Sequence, residues 1–269
     1  MSFGYDGTAF QGWARQPNAR TVEGEILEGI GRLGLGEPGR SVRLDVASRT
    51  DRGVSARANA LALESPLSAP ALLRALNGIA PEVFFRAAVA VGPAFHVRAA
   101  DRRVYRYFDP PRGQRLASWR AAARRFEGEI DVRSLGRSIP REAPVWRTID
   151  RLRVQRRNRG LEIEIVARSF VWGMVRKIVA ALRELEAGRL STPALTEALR
   201  GHRRLTLPLA EPEPLVLWDV EYPVRWTYFS AGPSRARARR NGAEEARLWA
   251  RAQVLGALAE SGTQRADLA

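Results

Sequence analysis

The 269-residue chain contains no cysteine. That excludes disulfides, thiolate-bound zinc and a thiol nucleophile. Histidine is nearly absent too, with only His96 and His202, so a histidine metal cluster or a serine–histidine relay has almost no material. Lys177 is the sole lysine. No apolar run reaches the roughly 18 residues that a membrane-spanning helix requires. The opening Met1-Ser2-Phe3-Gly4-Tyr5-Asp6 lacks the basic-then-apolar build of a signal peptide. These absences predict a soluble cytoplasmic protein with no metal site and no membrane span.

What is plentiful is arginine. Lysine and arginine total 44 against 29 acidic residues, a net charge of +15. Such an excess points to a polyanionic partner, most often nucleic acid. Arginine suits phosphate because its planar fork bonds two oxygens at once. A GC-rich genome would also enrich arginine, and composition alone does not separate the two causes. Hydrophobic residues make up 45% of the chain, enough for a core in one large or two modest domains.

Periodicity outlines the elements. After a short strand near Phe3, Thr21 caps a helix whose Val22, Ile26, Leu27, Ile30 and Leu33 share a face. Val42, Leu44 and Val46 alternate as a strand, and Leu61 and Leu63 belong to the next. A helix over Leu72, Leu73, Leu76 and Ile79 precedes a strand from Val83 to Val91. The first hundred residues therefore run β, α, β, β, α, β, the ferredoxin-like order. Arg102 to Phe108 is a strand with Tyr105 and Tyr107 on one face and Val104, Arg106 and Phe108 on the other. Residues 116–126 give a helical stripe, 128–146 read as a loop, and a hairpin turns at Arg156–Gly160. A long helix with Val171, Met174, Val175, Ile178, Leu182 and Leu185 inward ends at Gly188, with Trp172 and Arg176, four apart, together on a different face; a further helix starts at Thr192-Pro193, and Leu215–Tyr222 forms a last strand.

The fold expected is α+β: two ferredoxin-like halves, 1–100 and 101–223, joined into one extended mixed, mostly antiparallel sheet. Helices cover one face, and an active-site cleft lies between the halves. Residues 224–269 read as a basic tail with a weak helix over Leu248, Ala252, Leu255 and Ala259.

One carboxylate stands out. In Ser48-Arg49-Thr50-Asp51-Arg52-Gly53-Val54-Ser55-Ala56, Asp51 sits at a connection between strands with an arginine on either side. Asp-x-Gly is ordinary turn chemistry. Here two guanidinium groups flank the acid in a very basic chain, as in a site that keeps a carboxylate charged beside a polyanion. This segment resembles the signature of the tRNA pseudouridine synthase A family. Further segments resemble the family in the same order: Tyr5-Asp6-Gly7 with Gly12-Trp13, Leu76 to Pro81, Phe95 to Arg98, and Phe170-Val171 with Met174-Val175-Arg176 and Ile178-Val179. Pro212-Glu213-Pro214 stands where the family usually has a glycine, and the tail is not part of the resemblance.

The resemblance implies isomerisation of uridine to pseudouridine in the anticodon stem-loop region of tRNA, without cofactor. Asp51 is then the catalytic aspartate, Tyr105 the tyrosine against the uracil, and Arg176 the arginine that meets Asp51 across the cleft. Arg49, two residues before the acid, is the candidate for filling the space left by an extruded base and holding phosphate. The resemblance also implies a homodimer. Two alternatives remain: a non-catalytic RNA-binding protein with an aromatic ferredoxin-like sheet, and a basic ribosome-associated structural protein. Neither accounts for an acid placed among phosphate-binding arginines.

Overall fold

The computed structural model describes residues 1–35, 42, 44–80, 82–137, 139, 145–158 and 160–228. Strand Ser2–Tyr5 (β1) is short but central to its half of the sheet. It pairs antiparallel with Ser55–Ala62 (β3) on one side and Val83–Ala88 (β4) on the other. Helices Val22–Arg32 (α1) and Ala69–Ile79 (α2) pack on each other, and α2 packs on β4. Thr21 caps α1 as its position suggests, its hydroxyl accepting from the Gly24 N–H at 3.2 Å. Asn77 of α2 locks onto β4, exchanging two hydrogen bonds with the backbone of Phe85 at 2.8 and 3.0 Å.

The expected strand through Val42 and Leu44 is shorter, only Asp45–Val46 (β2), paired with the end of β3. It is an edge piece with one neighbour, and alternation of side chains alone does not create a ladder partner.

The second half is built on Arg102–Asp109 (β5), flanked by Gly160–Ala167 (β8) and Leu215–Glu221 (β9). Trp146–Arg157 (β7) pairs with β8, and Gly128–Asp131 (β6) with β7. The stretch 128–146 is therefore not all loop. Four residues are too few to show a period, and β6 is fixed by its pairing with β7. Helices Leu116–Ala123 (α3), Met174–Glu186 (α4) and Thr192–Leu199 (α5) complete the half, with α3 resting on β7 and α4. Thr227–Tyr228 (β10) returns to pair with β4.

The result is one ten-stranded sheet of order β10-β4-β1-β3-β9-β5-β8-β7-β6, with β2 hanging on β3. Among the described residues every strand pair is antiparallel except β3 with β9, joined through Ser55↔Val216 and Ala56↔Leu217. The sheet is mixed and mostly antiparallel, as expected, and that parallel seam joins the two halves. The expected tail helix, from Leu248 on, lies outside the described residues, as does Arg159 of the hairpin.

The two faces of the sheet differ. One buries Phe3, Phe85, Tyr107, Ile163 and Ile165, all at 0% exposure. Each such side chain contributes roughly 1.5–3 kcal/mol by leaving water. The other is polar. The Trp218 ring lies between the guanidinium groups of Arg57 and Arg106, 4.8 and 4.0 Å from its centre. Arg106 and Arg151 both pair with Glu164 at 2.9 Å. Part of the charge there is paired within the face.

Candidate active site

The Asp51 connection leaves β2 and reaches β3 at the seam, and it is pinned along its length. Asn59, fully buried on β3, donates to the Ser48 carbonyl at 2.8 Å. Thr50 is buried, its hydroxyl paired with the Tyr5 phenol at 2.7 Å and its carbonyl accepting from the Trp13 N–H at 3.1 Å. The turn then closes with Val54 N–H on the Asp51 carbonyl at 3.1 Å. Gly7, of the opening Tyr5-Asp6-Gly7 segment, presses directly on this turn. A Cβ at Gly7 would lie 2.2 Å from the Val54 carbonyl oxygen, so no larger residue fits there.

Arg103 of β5 is the strongest tether. Its side chain donates to the Ala47 carbonyl at 3.0 Å, the Ser48 hydroxyl at 3.1 Å and the Arg98 carbonyl at 2.9 Å, and also to the Arg168 carbonyl. It is only 6% exposed and has no carboxylate partner among the described residues. Burial accordingly pushes the guanidinium below its ordinary pKa. One side chain thus ties the start of the Asp51 connection to both halves.

The Asp51 carboxylate meets the beginning of α4. Its Oδ2 accepts from Arg176 at 2.8 Å, and its Oδ1 accepts from the Trp172 indole N–H. The pair is recessed, with 21% of the Asp51 side chain and 13% of Arg176 exposed. Arg176 lies in the first turn of α4, the helix end that favours negative charge. Its Nε donates to the Ala210 carbonyl at 2.7 Å, which fixes the direction of the guanidinium. Gly173, at φ 79°, turns the chain sharply between Trp172 and the helix, so that residues on either side of it reach the same carboxylate.

Behind Ala210 lies a second ionic network. Arg183 of α4 bonds Asp109 at 2.9 Å and Glu211 at 2.6 Å, and the Tyr107 phenol donates to Glu211 at 3.1 Å. The hydrogen bond from Arg183 is the main reason the Glu211 carboxyl is held down to about 2. The neighbouring Tyr107 phenol is pushed above its ordinary range by burial. Segment 210–211 is therefore anchored to α4 at both Arg176 and Arg183.

Of the residues singled out in the sequence, Asp51 and Arg176 are in direct contact. Tyr105 is buried, its ring edge-on to Phe170 at 5.0 Å. Its phenol is raised first by burial and also by the charge of Asp51. Arg49 and Arg52 are exposed and form no hydrogen bond or ion pair among the described residues. Both cations are free to take an outside anion. Helical spacing puts Trp172 and Arg176, four apart, on one face, but the helix starts only at Met174 and Trp172 reaches Asp51 from the turn before it. Arg103 escaped the sequence reading. Arg103 lies in a strand where arginine normally points to water. Among the described residues no group of three or more His, Cys, Asp or Glu could hold a metal, and no helix is long and apolar enough to cross a membrane.

Comparison with known proteins points the same way. Residues 122–223 match a family model described as tRNA pseudouridine synthase. The tRNA pseudouridine synthase A of Thermococcus kodakarensis is 39% identical over 222 residues, covering 81% of this chain and 82% of its own length. That of Natronomonas pharaonis is 38% identical over 227 residues, covering 81% and 83%. The protein of the same name from Thermococcus gammatolerans is 36% identical over 262 residues, covering 95% of this chain and 96% of its own. A match of that extent runs into the stretch beyond 224, so the tail is shared with at least one relative. At these identities and coverages, the chain belongs to the tRNA pseudouridine synthase A family.

Proposed function

We propose that this chain isomerises uridine to pseudouridine in tRNA, with Asp51 as the acid that acts on the substrate. The observation that carries the reading is the recessed Asp51–Arg176 ion pair at 2.8 Å, flanked in sequence by two exposed arginines that pair with nothing among the described residues. A module that only binds RNA has no use for a carboxylate among phosphate contacts. The reaction breaks the N1–C1′ bond, turns the uracil and joins C5 to C1′, while the proton on C5 is exchanged for one on N1. Nothing is oxidised and no group is brought from outside.

An ionised carboxylate beside the nucleoside can add to C1′, add to the ring, or take the C2′ proton. Each role needs the charge that Arg176 stabilises. The uridine must first leave its stack, at a cost of a few kcal/mol. Arg49 is suited to fill the gap and hold phosphate, and Tyr105 to bear on the extruded ring. The reading extends, on the family resemblance, to a uridine of the anticodon stem-loop region, to action as a homodimer and to a cytoplasmic setting. The test is to incubate the purified protein with unmodified tRNA transcripts and map pseudouridine at nucleotide resolution. New pseudouridine in the anticodon arm is expected. Its absence from every transcript overturns the proposal.

A further inference from the structure

We propose that Trp172 is a positioning residue that fixes the plane of the Asp51 carboxylate through its indole N–H. This rests on the reading of Asp51 as the reacting acid.

A carboxylate held at one oxygen only can swing about its Cβ–Cγ bond. Arg176 holds Oδ2, and the indole N–H of Trp172 holds Oδ1. With a donor on each oxygen the plane is set. An ionised carboxylate oxygen has two lone pairs, so Oδ1 can accept from the indole and still face a substrate atom. Trp172 is 53% exposed, the most open tryptophan or phenylalanine among the described residues. An indole left in water is normally mobile. This one is clamped: the Arg137 guanidinium lies 4.5 Å from its ring centre, and the Arg137 N–H donates to the Trp172 carbonyl at 2.8 Å. The next residue, Gly173, is left-handed at φ 79°. An ordinary surface tryptophan has no reason to carry a stacked arginine, a backbone clamp and a bond to a recessed acid together. The ring, more than half exposed, adds little to the core, so the arrangement acts on Asp51.

The test compares three single substitutions by single-turnover pseudouridine formation and by equilibrium tRNA binding. Trp172→Phe keeps the ring over Arg137 and removes the N–H. Misplaced reacting groups cost up to about 100-fold, and Trp172→Phe is expected to slow the chemical step about 10- to 100-fold with tRNA affinity within about twofold of wild type. Trp172→His, which restores an N–H on a planar ring, is expected to recover part of the rate. Arg137→Lys keeps the charge but loses the flat stack, and is expected to slow the step less than Trp172→Phe, again at unchanged affinity. It decides the matter should Trp172→Phe melt early.

A Trp172→Phe enzyme with the wild-type rate, or one losing rate and tRNA affinity in equal measure, overturns the proposal; the latter would make the ring a platform for RNA. Arg137→Lys at the full wild-type rate overturns it as well. Failure of the underlying reading looks different: Asp51→Asn would then keep its activity whatever Trp172 does.

Discussion

Replacing Arg103 by methionine removes the guanidinium and keeps most of the side chain's length. Three backbone carbonyls and the Ser48 hydroxyl lose a charged donor, in a place only 6% open to solvent. A hydrogen bond to a charged group is worth about 1.5–3 kcal/mol, and a buried orphaned carbonyl costs about 1–3 kcal/mol. Against this stands the return of the guanidinium to water in the unfolded state, which is worth several kcal/mol. The difference comes to about 2–4 kcal/mol of lost stability. For a chain of this size, at about 2–4 °C per kcal/mol, the melting temperature falls by roughly 4–16 °C. Lysine can reach one or two of the four acceptors, so Arg103→Lys should fall between. Urea unfolding followed by circular dichroism gives the free energy, with an unchanged m-value showing that the same surface is exposed. If Arg103→Met and Arg103→Lys both unfold at the wild-type midpoint, the tether is an incidental contact and the explanation of how the Asp51 connection is held fails.

Glu211 is held at about 2 in the folded chain against an ordinary 4.5, chiefly by Arg183, so its contribution to stability is complete above about pH 4.5 and is lost as pH falls toward 2. Its side chain is 53% exposed, so solvent screening keeps that contribution below about 1 kcal/mol. The gap in urea midpoint between wild type and Glu211→Gln should therefore narrow on going from pH 6 to pH 3, and a constant gap contradicts the assignment. Gly7→Ala puts a methyl group 2.2 Å from the Val54 carbonyl and must displace the Asp51 turn. Activity should fall at least about tenfold, since small misplacements of reacting groups are costly, and a fully active Gly7→Ala enzyme would show that the turn tolerates movement. Finally, tRNA affinity should drop steeply with salt. Arg49 and Arg52 are both exposed, and at about 0.7 counterions per neutralised phosphate two contacts give a log–log slope of about −1.4 or steeper. A flat plot would make the +15 charge an accident of genome composition.

The sequence was most legible where a period ran long enough. The alternation in β5, with Tyr105 and Tyr107 on one side and Arg106 on the other, appears in the structure as a buried face and a charged one. Asp51 and Arg176, 125 positions apart, were linked by the resemblance of their segments to one family, and they touch at 2.8 Å. What stayed hidden depended on three-dimensional closure. Trp172 reaches Asp51 because Gly173 turns the chain left-handed, and a glycine's sign of φ is not written in its neighbours. Arg103 faces inward because four oxygens converge on it from stretches far apart in the chain. Strand β6 exists because β7 offers it a partner, and β2 is short because β3 offers it little.

Asp51→Asn removes the charge with almost no change in shape and leaves Arg49 and Arg52 in place to hold phosphate. Pseudouridine formed in a tRNA transcript should be counted for this variant and the wild type, with tRNA binding measured in parallel. The prediction is no pseudouridine above background and affinity within about threefold, as for loss of a group needed only in the transition state. Turnover at the wild-type rate would contradict it.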